Sequence, residues 1–193
     1  MTGIEPIACN YEKSINSKYT VINGFFPDGL STKHTKTFDF IIFNDVFEHI
    51  PDLNKVLSAC NNLLKPTGLL IINLPMNTGV FYKIAGFLSV LGKKQSLIRL
   101  YQFETESPHV HYFSEKSLRK ATEKNKFNFV NKFNLHTVVF DKNIRERVAG
   151  IGNMSKLKSL VLTLIILVGV PFLRILPRDT KCFVFKKVKG EID

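Results

Sequence analysis

The segment from Phe38 to Leu74 constrains the fold most, because it reads as strand, helix and strand in close succession. Residues 38–43 are mostly apolar without alternation, as in a strand that is covered on both faces of a sheet. Residues 53–64 repeat apolar side chains at helical spacing after Asp52, a good N-cap residue. Residues 69–74 form a second apolar run. A crossover of this kind joins parallel strands, so the segment predicts an α/β fold.

Polar side chains follow the first of these strands directly. They are Asn44, Asp45, Glu48 and His49. Ligands of parallel α/β sheets bind beyond the carboxyl ends of the strands. The sequence therefore predicts that these four residues lie at a ligand site.

The remaining chain continues to alternate between helix and strand patterns. Residues 77–103 read as loosely helical with glycine interruptions, and Ser114 is expected to cap a helix that runs to about Asn125. Residues 127–140 favour one or two strands, and residues 182–188 favour a last strand.

The most unusual segment is the run from Leu157 to Leu176, which is apolar all round and carries no charge from 159 to 173. It is shorter than a membrane span needs, and Gly169 and Pro171 would kink a helix. We therefore expect a helix that is buried in the fold or lies in a membrane interface, rather than a transmembrane anchor.

The chain has a net charge of +11, and the excess lies in its second half. Residues 1–100 contain 10 basic and 7 acidic side chains, and residues 101–193 contain 17 and 9. This balance would attract an anionic substrate, a nucleic acid or an acidic membrane surface, but a lysine-rich background with solvated charges explains it equally well.

The cysteines bear on the compartment of the protein. There are three, Cys9, Cys60 and Cys182, and they form no C-x-x-C pair. This spacing argues against a disulfide framework or a zinc site, and the amino end shows no secretory signal pattern. We expect a cytoplasmic protein, with the segment 157–176 available for peripheral membrane contact.

The run 38–75 resembles the central portion of class I S-adenosylmethionine-dependent methyltransferases, in the subgroup that includes ubiquinone-biosynthesis and related small-molecule enzymes. The shared features are Asp39 near the start of the fourth strand, the Glu48–His49 pair, and a turn at residues 64–68 that reads LKPTG. The segments PHVHYFSEKSLRKATEKNKFNFV and TGIEPIA resemble two further parts of the family, the latter being the end of the second strand.

The resemblance implies a Rossmann-like, doubly wound α/β domain over residues 1–193 with a mostly parallel sheet. Residues 1–76 would form the cofactor side, 77–113 the substrate and cap region, and 114–193 a carboxyl-terminal part containing the apolar helix 157–176. The family's first strand and glycine-rich turn would precede Glu5, where no such pattern stands. We therefore expect a fold that is incomplete at its amino end, and a truncated enzyme whose independent activity is doubtful.

The resemblance also implies the cofactor, S-adenosylmethionine, and the residues that would bind it. Glu5 would accept hydrogen bonds from the ribose hydroxyls, and Asn44 and Asp45 would face the methionine part. Phe25 and Phe26 lie where the family contacts adenine. Glu5 could instead be a solvent-facing residue of a turn.

The candidate residues on the acceptor side are histidines. His49, His109 or His111 could act as a general base when the acceptor starts protonated. His49 could instead be a structural hydrogen-bonding residue. His109 and His111 flank one valine and would point the same way; this is compatible with metal binding, but no third ligand suggests itself, so no metal site is predicted.

Three functions remain open at this level. The first is methyl transfer to a small-molecule acceptor, which could be anionic or lipid-linked. The second is a non-catalytic remnant that has lost cofactor binding. The third is a basic module that associates with a membrane surface or with RNA, of which RNA is disfavoured because the basic residues form no stripe with interleaved aromatics. The sequence does not indicate an oligomeric state.

Overall fold

The computed structural model describes residues 1–14, 18–30, 36–103, 107–135 and 178–188. Six strands and five α-helices follow one another in these residues. In chain order they are β1 (Thr2–Glu5), α1 (Ala8–Ser14), β2 (Thr20–Asn23), β3 (Phe38–Asn44), α2 (Leu53–Leu63), β4 (Leu64–Pro75), α3 (Val80–Val90), α4 (Gln95–Leu100), α5 (Glu115–Lys124), β5 (Phe127–Leu135) and β6 (Thr180–Lys187). A single 3-10 turn, Phe47–His49, follows β3.

The strands form two separate sheets among the described residues. β1 and β2 are a parallel pair, and a four-stranded sheet has the order β3-β4-β6-β5. β3 and β4 pair in parallel, as the crossover predicted, whereas β6 runs antiparallel to both β4 and β5. In the part of the chain that the structure describes, β1 and β3 do not pair with each other, and each is an edge strand of its sheet. The two sheets are therefore not joined by strand pairing among the described residues.

Helix α2 forms as the sequence predicts. The Asp52 side chain accepts a hydrogen bond from the Lys55 backbone N–H at 3.0 Å, which satisfies a donor in the first turn. Val56, Leu57 and Cys60 are buried on one face of the helix. The helix ends at Leu63, before the proline and glycine at 66 and 68.

The prediction of a turn at residues 64–68 is wrong, because these residues belong to β4. β4 begins at Leu64, directly after α2, and Leu64 already pairs with Phe38. The pairing is irregular between Phe38 and Phe40 and continues regularly from Leu69. The proline and glycine are therefore accommodated by a register irregularity at the start of a longer strand, which local patterning does not reveal.

The two faces of the four-stranded sheet differ. One face carries the core, in which side chains of β4, β5 and β6 pack with those of α2 and α5; its fully buried strand residues are Leu64, Leu70, Ile72, Leu74, Phe127, Phe183 and Phe185. On the other face Phe40 and Ile42 are 57% and 63% exposed. The expectation that β3 is covered on both faces is thus wrong for the described residues.

The segment after β4 contains two short helices, as its loose pattern predicted, with Gly92 at a φ of +84° between them. Ser114 caps α5 by accepting from Ser117 N, as expected. β5 confirms a strand from Phe127, while residues 136–140 and the predicted helix 157–176 lie outside the described residues. Among the helices that the structure describes, none has the length and apolar character to cross a membrane.

Candidate functional site

The carboxyl ends of β3 and β4 are joined by polar contacts. The Asn44 side-chain oxygen accepts a hydrogen bond from Asn73 Nδ2 at 2.7 Å. Asp45 follows with a φ of +51°, and its backbone N–H donates to Asn73 O at 3.0 Å. The chain thus leaves β3 through a left-handed residue, which directs it into the 3-10 turn that carries Glu48 and His49.

Three titratable side chains come together beside this turn. Glu48 is 1% exposed and His109 is 8% exposed, while His49 is half-buried. The rings of His49 and His109 lie edge to face with centroids 4.6 Å apart. One ligand atom from each of Glu48, His49 and His109 lies within 4.8 Å of the others. Among the described residues, Glu48 Oε2 has no hydrogen-bond partner.

Backbone hydrogen bonds hold the two halves of this group together. The Glu48 carbonyl oxygen accepts from Val110 N at 2.9 Å and from His111 N at 3.0 Å. His109 N donates to Tyr101 O at 2.8 Å, which ties the same segment to the end of α4. The extended residues before α5 are therefore fixed against the turn after β3.

The hydrogen bonds of the two imidazoles assign their tautomers. His49 Nδ1 lies 2.9 Å from Pro108 O, and a carbonyl oxygen only accepts, so Nδ1 carries the proton. Tyr112 donates its hydroxyl proton to Leu100 O at 2.9 Å. Its oxygen, 3.0 Å from His109 Nδ1, therefore accepts from that nitrogen. In the neutral form of each ring, the lone pair is then on Nε2.

Burial shifts the pKa values of this group. It raises the pKa of Glu48 to about 7, with a smaller contribution from the charge of Asp45 and an opposing one from a backbone hydrogen bond. It lowers the pKa of His109 to about 4, and the charge of His49 acts in the same direction. Asp45 is exposed as a whole residue, yet partial desolvation of its carboxyl raises its pKa against the effect of His49.

Other residues expected at the cofactor lie on the smaller sheet or next to it. Glu5 ends β1 and is half-buried, and its Oε1 accepts from Ile7 N at 3.0 Å. Phe25 follows β2 and is 72% exposed. Phe26 instead packs on the core, with its ring 5.6 Å from that of Phe43. Among the described residues no hydrogen bond or ring contact joins Glu5 or Phe25 to the group after β3.

His111 has a different environment from His109. Its ring lies 5.5 Å from that of Phe113, and its buried Nε2 has no hydrogen-bond partner among the described residues. The sequence singled out both histidines, but not the grouping of His109 with Glu48 and His49, nor Tyr112, which orients His109. No local pattern announces a contact between residues so far apart in the chain.

The fold is the Rossmann-like α/β fold of the class I methyltransferases. Residues 1–132 match the family model described as a methyltransferase domain. The chain belongs to this family: it is a methyltransferase, and its cofactor is S-adenosylmethionine. No curated protein matches the sequence.

Solved structures share the fold at low sequence identity. A methyltransferase from Archaeoglobus fulgidus dependent on S-adenosylmethionine is 15% identical, with a TM-score of 0.58 over 96% of this chain and 75% of that one. One from Methanosarcina mazei is 14% identical, with a TM-score of 0.54 over 98% and 82%. Phosphoethanolamine N-methyltransferase 2 from Haemonchus contortus is 15% identical, with a TM-score of 0.55 over 97% of this chain and 43% of that one.

Proposed function

We propose that this chain transfers the methyl group of S-adenosylmethionine to a small-molecule acceptor, with residues 1–76 holding the cofactor and residues 77–113 the acceptor. The observation that carries the proposal is the group of Glu48, His49 and His109 just beyond the carboxyl end of β3. Ligands of parallel α/β sheets bind at that end. Residues 108–111 form hydrogen bonds with the 3-10 turn there, which supports a site shared by both parts of the chain.

The polar groups at the ends of β1 and β3 fit the polar ends of the cofactor. One oxygen of Glu5 is held by Ile7 N–H, which leaves the other to accept from a ribose hydroxyl. The carboxylate of Asp45 suits the ammonium of the methionine part, next to the amide of Asn44. The exposed ring of Phe25 offers an apolar face for adenine.

Methyl transfer requires mainly that the protein position the acceptor against the cofactor. S-adenosylmethionine supplies an electrophilic methyl group on a sulfonium sulfur. Residues of the chain have to align the acceptor atom with the S–CH3 bond, so that the new bond to carbon forms as this bond breaks and sulfur keeps the electron pair. His49, His109 or His111 would receive or direct the acceptor's proton.

Charge supports an anionic acceptor. Residues 77–113 contain four basic side chains, Lys83, Lys93, Lys94 and Arg99, and two acidic ones, Glu104 and Glu106, so basic residues predominate. The Haemonchus contortus enzyme was solved with phosphomonomethylethanolamine, an anionic small molecule, and S-adenosylhomocysteine. By analogy we propose a phosphorylated or otherwise anionic small molecule as the acceptor of this chain.

Titration calorimetry of the chain with S-adenosylhomocysteine tests the cofactor site without knowledge of the acceptor. We expect binding, and roughly 10- to 100-fold weaker binding for Glu5→Ala and Asp45→Ala, because each change removes a hydrogen bond to a charged group. Asp39→Ala is the matched control, since Asp39 is an exposed acid at the other end of β3. A folded chain that does not bind favours the non-catalytic alternative, and unchanged affinity in both variants overturns the assignment of these residues.

The acceptor class is tested by incubating the chain with methyl-labelled cofactor and a cell extract separated by size. We expect the label in the small-molecule fraction, and specifically in its anion-exchange-retained part. Label in protein or RNA would overturn the proposal of a small acceptor, and label only in neutral or cationic molecules would overturn the anionic one.

We further propose, as a second candidate function, that the chain works at an anionic membrane surface. The apolar surface of α3 and its C-cap residue, formed by Phe81, Ile84, Phe87, Val90 and Leu91, has exposed fractions from 41% to 86%. Lys93 and Lys94 follow after Gly92. Adjacent apolar and basic side chains are typical of elements that enter the interface of acidic lipid.

Vesicle sedimentation tests this contact, with phosphatidylcholine vesicles that contain or lack phosphatidylserine. We expect binding to the acidic vesicles that weakens with salt and is lost in the double variant Phe87→Ser, Val90→Ser. The matched control changes Phe133 and Val130 to serine, since these are 52% and 53% exposed on β5. Equal loss in both variants, or self-association that only the α3 variant abolishes, would overturn the membrane proposal.

A further inference from the structure

We propose that Glu48, His49 and His109 bind a divalent first-row transition metal such as Zn²⁺ or Mn²⁺. Each residue offers one ligand atom, and these atoms lie within 4.8 Å of one another. Around an ion with bonds of about 2.1 Å, neighbouring ligand atoms lie roughly 3 to 4 Å apart. Side-chain shifts of about 1 Å would therefore close the site around an ion.

The unpaired carboxylate is the first reason for expecting a cation here. Glu48 is 1% exposed, and its Oε2 has no hydrogen-bond partner among the described residues. The ion pairs that the structure describes involve Asp28, Asp39 and Glu115, and none of them involves Glu48. A buried carboxylate oxygen without a partner is costly, and a bound cation would remove that cost.

The orientation of both imidazoles is the second reason. Pro108 O fixes the proton of His49 on Nδ1, and Tyr112 does the same for His109. In the neutral form of each ring, Nε2 therefore has the lone pair. Metal-binding histidines typically donate their other ring nitrogen to a carbonyl or similar acceptor, which sets the tautomer and the direction of the ring. The hydrogen bonds of His49 to Pro108 O and of His109 to Tyr112 are of the kind that orient metal-binding histidines.

The ligand set indicates the class of metal. Two imidazoles and one carboxylate suit Zn²⁺, Mn²⁺, Fe²⁺ or Co²⁺, whereas Mg²⁺ and Ca²⁺ prefer oxygen ligands. Three protein ligands leave at least one position open for an exogenous oxygen or nitrogen, as in catalytic rather than structural sites.

This inference rests on the proposed function for the role of the ion, but not for its binding. If the acceptor is a hydroxyl compound, its oxygen would occupy the open position and release its proton to water more readily. The oxygen would then form the bond to the methyl carbon while the S–CH3 bond breaks. The ion undergoes no change of oxidation state in this step.

Cobalt provides a direct readout, because Co²⁺ bound by nitrogen and oxygen ligands absorbs visible light. We would titrate the untagged chain with Co²⁺, in the absence of cofactor and acceptor, and follow the absorption. We expect saturation at one ion per chain, displacement by Zn²⁺, and no displacement by an equal concentration of Mg²⁺ or Ca²⁺. Displacement by Mg²⁺ as efficient as by Zn²⁺ would overturn the assigned ligand class.

Variants test two of the three ligands, Glu48 and His109. Glu48→Gln keeps the shape of the side chain, and His109→Asn keeps a nitrogen near the position of Nδ1 while removing Nε2. We expect each to weaken Co²⁺ binding at least about tenfold, and Tyr112→Phe to weaken it less, through the orientation of His109. His111→Ala is the matched control, because its ring lies outside the group.

The folded state of each variant is checked by circular dichroism and thermal melting. Co²⁺ bound equally well by folded Glu48→Gln and His109→Asn chains would overturn the site, as would the absence of binding by the parent chain. Because no cofactor is present, a chain that binds Co²⁺ but not S-adenosylhomocysteine would leave the metal site intact and contradict the proposed function alone.

Discussion

Single residues at the start of α3 show how a distant neighbour decides which side chain a position accepts. Asp179 Oδ1 accepts a hydrogen bond from Phe81 N at 2.7 Å, so it provides the N-terminal cap of a helix 98 residues earlier. A Cβ at Gly79 would lie 2.5 Å from that oxygen and 2.7 Å from the Asp179 Cα. Gly79 has a φ of −69°, so the position requires glycine for space and not for backbone freedom.

Gly79→Ala is therefore expected to lower the free energy of unfolding by about 1 to 3 kcal/mol, since the added methyl group would force the backbone at Asp179 to move. Gly86→Ala in the same helix is the control. Nothing lies within 4 Å of a Cβ there, and alanine should stabilise the helix by about 0.5 to 1 kcal/mol. Urea denaturation measures both, and equal stability of the two variants would contradict this account.

At the scale of elements, helix α2 begins where a side chain accepts a hydrogen bond from a backbone N–H of the first turn. Asp52 accepts from Lys55 N, and the buried residues of the helix then follow at helical spacing. All of these features lie within a dozen positions of sequence, which is why the helix could be predicted. The first residue of β4 could not be predicted in the same way, because the start of this strand is extended through pairing with Phe38.

Asp52→Ala should lower the free energy of unfolding by about 1 kcal/mol, because a backbone donor of the first turn loses its partner. Asp39→Ala removes an acid of the same type that pairs with Lys65 at 2.8 Å, with exposed fractions of 62% and 42% for the two side chains. An exposed pair contributes about 0 to 1 kcal/mol, usually toward the low end. Denaturation curves that rank Asp39→Ala as the more harmful change would refute the assigned cap.

At the scale of the whole molecule, the four-stranded sheet has one packed face and one open face in the described residues. Ile72 on β4 is fully buried, whereas Ile42 on the neighbouring strand is 63% exposed. The two residues are of the same type and belong to paired strands, so the difference in their exposure reflects the difference between the two faces of the sheet.

Ile72→Ala should destabilise the chain by about 2 to 5 kcal/mol through lost burial and a residual cavity. Ile42→Ala should change stability by less than about 0.5 kcal/mol. Thermal and chemical unfolding of both variants would show the difference. A cost at Ile42 similar to that at Ile72 would mean that another part of the chain or a second copy covers this face in solution.

The candidate site was only partly predictable. Asn44, Asp45, Glu48 and His49 follow a recognisable strand, so their place at its carboxyl end could be inferred from local order. The sequence could not predict that His109 lies beside these residues, because its position depends on hydrogen bonds from Val110 N and His111 N to Glu48 O. Without that contact the sequence offered two histidines and no third metal ligand.

The sequence by itself determined the elements whose causes are local. Helical spacing behind a cap specified α2 and α5, an apolar run specified β3, and the residues after it specified a polar strand end. Tertiary structure decided what depends on neighbours distant in the chain. In the residues that the structure describes, these are the antiparallel pairing of β6, the burial of one face of the sheet and the exposure of the other, and the contact of Glu48 and His49 with His109. The physical reason is that burial, strand pairing and tautomer choice are set by which groups surround a residue, and a linear pattern does not contain that information.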